Sequence, residues 1–398
     1  MSESEFWKEK KLDELIQEKT IGLVKGSSLQ SDCFEFDYVK MHNISSDNSW
    51  NPKSMVRVNA TDEEVEKFSL QNNDFLFNTR NSYELVGKSC LYQSTSKIPV
   101  LFNNNIMRIK FSTELNPKFA AYAFCSKDVS DQLTSMKQGT TGVSGIYYKT
   151  LKNLRVKYPP IPEQKRIVAI LDQAFHDIEQ ARAKTEQNLK NARELFESYL
   201  QQVFSQRGEG WEDSTLNIVA ENLDSKRVPI TKKDRIEGEY PYYGASGIVD
   251  YVDDYLFDEE LLLVSEDGAN LLARTYPIAF SASGRYWVNN HAHVLKFKDR
   301  NTQKFIEYYL NSISLAPYVS GMAQPKLNQR ALNSIPVPKV TELIAGDVVS
   351  KLEVLENEIN QVFKLYKSKL DSLDELKKSI LQKAFSGELT KEKEGAVA

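Results

Sequence analysis

Apolar residues recur with alternating spacings of three and four along two long segments of the chain, 163–206 and 342–386. This spacing is typical of the seam along which α-helices pair in a coiled coil. A proline-rich stretch, 159–162, precedes the first segment and marks a helix start, while Gly208 and Gly387 follow the two segments as helix stops. The pattern predicts two long helices whose seam contains Leu171, Ile178, Leu195, Leu352, Ile359 and Leu376.

The sequence also contains an internal repeat. Residues 103–126 match 289–312 with eight of 24 positions identical, and residues 151–206 match 332–387 with 14 of 56 positions identical. A period this long is not that of a solenoid, and it indicates duplication of a whole domain together with its helix. Two matched copies favour helices that pair antiparallel and give the chain pseudo-two-fold symmetry. The alternative is two separate helices, each packed only on its own domain.

Each copy begins with a globular part that combines short strands and short helices. Apolar runs predict strands, and amphipathic patterns predict helices, at matching places in the two copies. The predicted strands are 75–77, 106–111, 261–264 and 294–297, and the predicted helices are 118–125 and 304–310. Polar loops that contain glycine follow at 137–145 and 320–327. We interpret each globular part as a mixed α/β (α+β) domain.

These elements divide the chain into five consecutive segments, in which the long helices act as a spacer between two domains of the same kind. The predicted boundaries are 1–160 for the first domain, 161–207 for the first long helix, 208–338 for the second domain, 339–390 for the second long helix and 391–398 for a disordered tail.

Composition restricts the class of protein without identifying it. The chain has 398 residues, a net charge of −4 and no apolar run close to the ~20 residues of a membrane-spanning helix. Three cysteines without a CxxC spacing favour a reduced protein, and the N-terminus lacks the apolar core of a secretory signal. Residues 21–160 are net basic and residues 209–338 net acidic. We predict a cytoplasmic protein without a membrane partner. Charge alone does not indicate that the protein binds nucleic acid.

Motifs for catalysis are missing from the sequence. Gly87, Lys88 and Ser89 lack the earlier glycine that a phosphate-binding loop needs. His291 and His293 share one face of a predicted strand without a third metal ligand nearby, so we interpret them as a surface pair. The chain also lacks the Pro-Asp dipeptide of many nucleases and the motif with which an amino-methyltransferase grips a flipped base. The sequence therefore predicts no catalytic site, metal or cofactor in this chain.

Four stretches carry a resemblance to a known family. They are 158–167 (YPPIPEQKRI), 381–389 (LQKAFSGEL), 79–87 (TRNSYELVG) and 242–247 (YYGASG). The order of these stretches, together with the duplication, carries the resemblance. Over essentially its whole length, the chain resembles the specificity subunit of a type I restriction-modification system. One departure is the start of the second helix, Pro338-Lys339, which differs from the Pro-Glu-Gln-Lys pattern of the first and puts a partner contact there in doubt.

The resemblance implies a non-catalytic subunit with two target-recognition domains, each reading one half of a bipartite, asymmetric site in double-stranded DNA. It implies two modification subunits, which use S-adenosylmethionine to methylate adenine, and two restriction subunits, which use ATP and Mg²⁺ for translocation and cleavage. The paired helices would set the distance between the half-sites. The alternative is a coiled-coil scaffold that bridges other proteins without touching DNA, whereas the missing motifs disfavour a self-contained nuclease or methyltransferase.

Candidate DNA contacts lie in polar loops at matching positions of the two domains, where side chains can reach phosphates or base edges. The alternative for each of them is an ordinary surface residue. In the first domain the candidates are Arg80, Asn81, Lys137, Thr140, Thr141 and Lys149, and in the second domain they are Tyr243, Ser246, Arg274, Gln324, Lys326 and Gln329.

Overall fold

A computed structural model of the chain describes residues 7–140, 142–321 and 323–391. Backbone contacts divide it into two compact units. The first unit consists of the residues up to Ala183 together with those from Leu370 onwards, and the second unit is Lys184–Lys369. Each unit contains one globular domain and a part of each long helix. The two predicted long helices are confirmed, and they span Ile161–Ser205 and Glu342–Phe385.

In the part of the first unit that the structure describes, the domain contains four sheets and five short helices. Its central sheet has the strand order Ile16–Ile21, Ile106–Phe111, Phe75–Asn78 and Ser89–Leu91. The other sheets are Lys8–Lys11 with Arg155–Tyr158; Val56–Val58 with Phe36–Val39 and Val100–Phe102; and Gln138–Gly139 with Ser144–Gly145 and Arg80–Asn81. The helices are Leu12–Leu15, Asp62–Phe68, Pro117–Cys125, Lys127–Ser135 and Tyr148–Leu151, with 3-10 turns at Ser27–Leu29 and Met41–Asn43.

The domain of the second unit repeats this plan. Its central sheet has the order Glu221–Asn222, Ala292–Lys296, Leu261–Ser265 and Ala279–Ala282. The other sheets are Glu212–Thr215 with Pro336–Lys339, and Gly247–Val252 with Glu237–Gly244, Arg285–Val288 and Phe257–Asp258. The helices are Leu216–Val219, Asn270–Ala273, Arg300–Ser312 and Gln329–Asn333, with 3-10 turns at Asp224–Lys226, Lys232–Asp234 and Ala316–Tyr318.

The central strands are apolar on both faces because each face meets a separate core. Phe75 and Phe77 pack into a cluster with the neighbouring short helices, while Leu76, between them, packs into a second cluster behind the sheet. Leu262 and Leu263 divide between two clusters of the second domain in the same way. Successive side chains of a strand point to opposite faces, so a short unbroken apolar run is what a strand covered on both sides needs.

The duplication is visible in the pairing of strands, and it confirms the repeat predicted from sequence. Phe75 pairs with Ile109 in the first domain and Leu262 pairs with Leu295 in the second, in both cases antiparallel. The predicted fold class is confirmed as well, since two mixed α+β domains accompany two long helices.

Within the first unit the long helices pack against each other antiparallel. Lys377 donates to Glu179 at 3.2 Å, and Arg182, one turn further along the first helix, pairs with Asp374, one turn back on the second. The domain rests on this pair through an aromatic contact, in which the ring of Phe385 lies 5.3 Å from that of Phe119.

The long helices are also antiparallel within the second unit. Asn188 donates to the hydroxyl of Tyr366 at 3.3 Å, whereas Leu200, further along the first helix, shares a buried cluster with Leu352, further back on the second. The same cluster contains Phe204 and the core of the second domain, so helix pairing and domain packing stabilise each other.

The predicted seam needs correction at two of its six positions. Leu171, Ile178, Leu352 and Ile359 are buried, but Leu195 is 63% exposed and Leu376 is 47% exposed. The residues that turn inward are their successors, Phe196 and Lys377, which are both partly buried. A straight α-helix drifts by about 20° per heptad against a strict seven-residue repeat, so a seam extrapolated over a long helix moves to the next residue.

Helix ends agree with the sequence signals where the chain is described. Gly387, just after the second long helix, has a φ of +84°, the left-handed conformation of a helix C-cap. Of the predicted tail, 391–398, only Lys391 lies within the described residues, at the end of a short helix, Glu388–Lys391. In the described ranges no helix has the length and apolar character required to cross a membrane.

Candidate nucleic-acid interface

Each domain carries a narrow three-stranded ribbon at the end of the strand that leaves its central sheet. In the first domain, Gly145 pairs antiparallel with Arg80 on one side and with Gln138 on the other, and we call this sheet ribbon one. In the second domain, Lys326 is bridged in the same way to Asp267 and to Ser320, and we call these strands ribbon two. The two polar loops noted in the sequence therefore have the same structural role.

A glycine makes the turn of each ribbon possible. Gly139 has a φ of +119° and Gly321 a φ of +84°, both in the left-handed region. A Cβ at Gly139 would lie 2.4 Å from the carbonyl oxygen of Val143, and a Cβ at Gly321 would lie 2.5 Å from that of Gln324. Only glycine fits both conditions, so the two ribbons share one backbone framework.

Ribbon one presents two cations, each beside an exposed aromatic ring. The guanidinium of Arg80 lies 5.9 Å from the ring of Tyr147 and donates to its hydroxyl at 3.3 Å. The ammonium of Lys137 lies 4.6 Å from the ring of Tyr83 and donates to the Tyr83 carbonyl oxygen at 2.7 Å. Burial and the nearby ammonium of Lys88 lower the pKa of Lys137. Sequence reasoning missed both tyrosines, because nothing in their spacing places them beside the cations.

The other candidates of the first domain differ in their surroundings. Asn81 accepts a hydrogen bond from the Ser82 N–H at 2.8 Å, and Thr140 is exposed at the turn of ribbon one. Lys149 is exposed on the short helix after the ribbon. Thr141 lies outside the described residues. The structure thus brings Arg80, Asn81, Lys137 and Thr140 together on ribbon one and places Lys149 beside it.

Ribbon two gathers several candidates of the second domain. Lys326 forms an ion pair with Glu266 at 3.3 Å, and Gln324 is exposed in the same loop. Ser246 lies in the adjacent hairpin turn, which the hydroxyl of Ser265 holds by donating to the carbonyl oxygen of Ala245. These contacts place the hairpin turn next to the strand that leads into ribbon two.

Three candidates of the second domain have structural partners. Tyr243 is partly buried, and its ring lies 5.5 Å from that of Tyr286 in the domain core. Gln329 donates to Asn222 at 2.8 Å. Arg274 donates to the carbonyl oxygens of Leu310 and Asn311, at 3.3 and 2.6 Å, at the C-terminal end of a helix.

These contacts give Arg274 a structural role, and its contact to DNA stays a prediction. A cation at a helix C-terminus is stabilised by the unpaired carbonyls there. Burial lowers the pKa of Arg274, and its backbone has a φ of +54°.

The interpretation of the two histidines as a surface pair is wrong for one of them. The side chain of His291 is 52% exposed and bonded to Asp267 of ribbon two, at 2.7 Å. The side chain of His293 is 1% exposed, and its two ring nitrogens bond to Asp224 and to the carbonyl oxygen of Leu327. Within the ranges that the structure describes, no group of three or more His, Cys, Asp or Glu side chains could hold a metal ion.

The two ribbons share a backbone but differ in their charges. Arg80 of ribbon one stands where ribbon two has Asp267, and Gly145 of ribbon one stands where ribbon two has Lys326. One framework with different polar side chains is the arrangement expected of two surfaces that recognise different ligands by the same geometry.

Comparison with known proteins identifies the family. The family model for the type I restriction modification DNA specificity domain matches residues 4–188 and 208–380, which covers both copies of the repeat and most of both long helices. The chain therefore belongs to the family of type I restriction-modification specificity subunits.

Individual relatives agree with this membership. The chain is 33% identical over 167 residues to a Haemophilus influenzae protein named as a type I restriction enzyme specificity subunit, and 26% identical over 151 residues to the EcoKI specificity subunit of Escherichia coli. These matches cover 42% and 38% of this chain and 41% and 32% of the relatives. The match thus spans less than half the length of either curated relative.

Solved structures show the same fold. One match is a chain from a structure that addresses complex assembly and conformational transition of a type I restriction-modification system. It superposes with a TM-score of 0.75 at 16% identity, and the match covers 96% of this chain and 97% of that chain. The HsdS subunit of Thermoanaerobacter tengcongensis superposes with a TM-score of 0.58 at 18% identity, with the same coverage.

Proposed function

We propose that this chain is the DNA sequence-recognition subunit of a type I restriction-modification complex. It binds a bipartite, asymmetric target in double-stranded DNA, and each domain reads one half-site through its ribbon. The observation that carries this proposal is the matched pair of ribbons, which have one backbone framework but different polar side chains. Family membership supports the same function.

The direct test is a gel-shift experiment with duplexes of random sequence, with and without the methyltransferase subunit of the complex. We expect specific binding, which a pool enriched by selection should display as two specified half-sites separated by unspecified base pairs. Association with the methyltransferase in the absence of any DNA binding would favour the coiled-coil scaffold instead.

The cations of ribbon one are expected to contact phosphates. The double variant Arg80→Ala, Lys137→Ala should then weaken binding to all duplex sequences, and the slope of log affinity against log salt should become shallower by about 0.9 per lost phosphate contact. The matched control is Lys127→Ala, Arg155→Ala, which removes two exposed cations of the same domain away from the ribbon. Equal slopes for the two double variants would refute the phosphate role.

The second long helix offers a surface for the partner subunits. Three of its apolar side chains within the second unit are largely exposed, Leu343 at 84%, Val354 at 60% and Leu365 at 69%. They are spaced by eleven residues, which corresponds to about three helical turns, so they lie along one face of the helix. We propose that a helix of a modification subunit packs on this stripe, and that S-adenosylmethionine, ATP and Mg²⁺ bind to the two modification and two restriction subunits.

Two neighbouring substitutions separate partner binding from stability. Val354→Glu should abolish co-purification with the methyltransferase subunit while shifting the free energy of unfolding by less than about 0.5 kcal/mol, because the side chain is exposed. Leu352 lies two residues away and is fully buried. Leu352→Glu should therefore lower the free energy of unfolding by at least about 2–5 kcal/mol, the cost of a large-to-small core substitution. If Val354→Glu retains the methyltransferase, the stripe is not the docking surface.

The long helices fix the spacing of the two half-sites in this proposal. Two readers related by pseudo-two-fold symmetry meet the same face of the duplex when their half-sites lie about one helical turn, roughly 34 Å, apart. Helices of 45 and 44 residues are each about 66 Å long, which is enough to hold such a distance.

A further inference from the structure

The turn of each ribbon carries one outward side chain, which is a valine in ribbon one and a glutamine in ribbon two. Val143 is 63% exposed, and Gln324 is exposed as well. The next residue of each strand is buried, Ser144 in the first domain and Pro325 in the second. Successive side chains of a strand point to opposite faces, so Val143 and Gln324 lie on the outer face of their ribbons.

Val143 and Gln324 occupy the same position of the duplicated framework. Each supplies the carbonyl oxygen that approaches the turn glycine of its ribbon, at 2.4 Å and 2.5 Å from the place of a Cβ. Each lies two residues before the central residue of its ribbon, which is Gly145 or Lys326. The offset that aligns the second block of the internal repeat also aligns Val143 with Gln324. The two ribbons therefore differ here in side chain and agree in backbone.

Hydrogen bonds fix the backbone on both sides of this position. The Thr140 N–H donates to the carbonyl oxygen of Val143 at 3.0 Å, and the hydroxyl of Ser144 donates to that of Thr140 at 2.7 Å. On ribbon two, Ser320 and Lys326 exchange two backbone hydrogen bonds, at 2.9 and 2.8 Å, across the turn that carries the glutamine. A side chain presented by a fixed backbone loses less conformational entropy when it binds a ligand.

Neither outward side chain is used within the described part of the chain. Val143 belongs to none of the apolar clusters that the described residues form. The amide of Gln324 makes no hydrogen bond to another described residue. A Cβ at Gly145 would lie 2.9 Å from the ring of Tyr147, so an aromatic ring fills the space where ribbon two carries Lys326. The outer face of this strand is therefore apolar in ribbon one and polar in ribbon two.

These two side chains suit different base edges. The major groove of B-DNA, about 12 Å wide, admits a two-stranded β-ribbon such as the hairpin that carries Val143. Thymine presents an apolar 5-methyl group there, whereas adenine presents the N7 acceptor and the N6 amino donor. Valine cannot form hydrogen bonds, so a polar edge placed against it would lose water without compensation. The amide of glutamine both donates and accepts, and it pairs with N6 and N7 of adenine.

We propose that Val143 and Gln324 are specificity-determining residues at one matched position of the two ribbons. Val143 selects a thymine, through its 5-methyl group, in the half-site of the first domain, and Gln324 selects an adenine in the half-site of the second domain. Binding of DNA by the ribbons is the function proposed above, and the choice of base builds on it.

The test of Val143 uses the full chain in complex with the methyltransferase subunit. Selection from random duplexes of unmodified DNA gives the two half-sites, and Val143→Ala should flatten the preference at one base pair, where the wild type selects thymine. Replacing that thymine by uracil removes only the 5-methyl group. It should weaken binding about fourfold in the wild type and leave Val143→Ala unaffected. The control is Ile98→Ala, at an exposed apolar residue outside ribbon one, which should keep the fourfold difference.

The test of Gln324 removes one acceptor from the base that it reads. Gln324→Ala should flatten the preference at one base pair of the other half-site, where the wild type selects adenine. Replacing that adenine by 7-deazaadenine, which lacks the N7 acceptor, should weaken binding about tenfold in the wild type and leave Gln324→Ala unaffected.

The outcomes separate the choice of base from DNA recognition itself. Two specified half-sites, with the same ratio of thymine to uracil affinity in Val143→Ala as in the wild type, would overturn the role of Val143 and leave the proposed function standing. A half-site that Val143→Ala alters at a base pair without thymine would do the same. Absence of any sequence preference in the wild type would overturn the proposed function, and the choice of base with it.

Discussion

Replacing residues 209–338 with the corresponding part of a relative is expected to change one half of the recognised DNA sequence and leave the other half unchanged. The second domain has its own cores and its own ribbon, so its recognition surface moves with it. The effect should be complete, because in the proposed function each domain makes all the base contacts of its own half-site. The measurement is sequencing of the sites methylated by the assembled complex.

Such an exchange succeeds only if the new domain still packs on the long helices. Leu200, Phe204 and Leu352 share a buried cluster with the second domain, and the relative must supply matching apolar residues. The control is an exchange of the second helix, 342–385, which should leave both half-sites as they were. A change in both half-sites on exchange of 209–338 would show that the domains are not independent readers.

Inserting four residues after Ala183 should alter the preferred spacer between the half-sites or abolish activity, without changing the bases read. The insertion lengthens the first helix by about 6 Å and rotates its later part by about 40°. Buried seam residues such as Ile178 and Ile359 contribute roughly 1.5–3 kcal/mol each, so the helices resist sliding past each other. The measurement is the spacer length in sites selected by the variant.

A paired insertion keeps the seam in phase and serves as the control. Glu179 faces Lys377 and Arg182 faces Asp374, so the point after Ala183 faces the point after Ser372 on the other helix. Seven residues added at both points extend the pair by about 10 Å with little rotation. This variant should remain folded and active on a longer spacer. An unchanged spacer length in either variant would exclude the helices as the element that sets it.

The long helices and the duplication could be predicted because they leave periodic signals in the sequence. Heptad spacing is local, and identity at a fixed offset needs no knowledge of packing. A strict heptad repeat places Leu195 and Leu376 in the seam, whereas both are exposed because a straight helix drifts against that repeat.

The ribbons could be located as polar loops but not assembled from sequence. Their strands are only two residues long or are single bridges, and Arg80 pairs with Gly145 from a distant part of the chain. Such short pairings produce no periodic pattern in the sequence from which they could be predicted. The structural partners of Arg274 and the burial of His293 cannot be read from the sequence for a related reason. The carbonyls that accept hydrogen bonds from Arg274 and the carboxylate that is bonded to His293 come from remote segments of the sequence. Only the folded chain brings these groups together.

In the proposed function, each ribbon reads one half-site. The most direct measurement is selection from a random duplex pool by the chain in complex with its methyltransferase subunit, carried out for the wild type and for two variants. One variant carries alanine at Asn81 and Thr140 of ribbon one, and the other carries alanine at Gln324 and Lys326 of ribbon two. We predict that each variant loses base preference at a different half-site and keeps the other. Loss of the same half-site in both variants, or wild-type preference in both, would contradict the account.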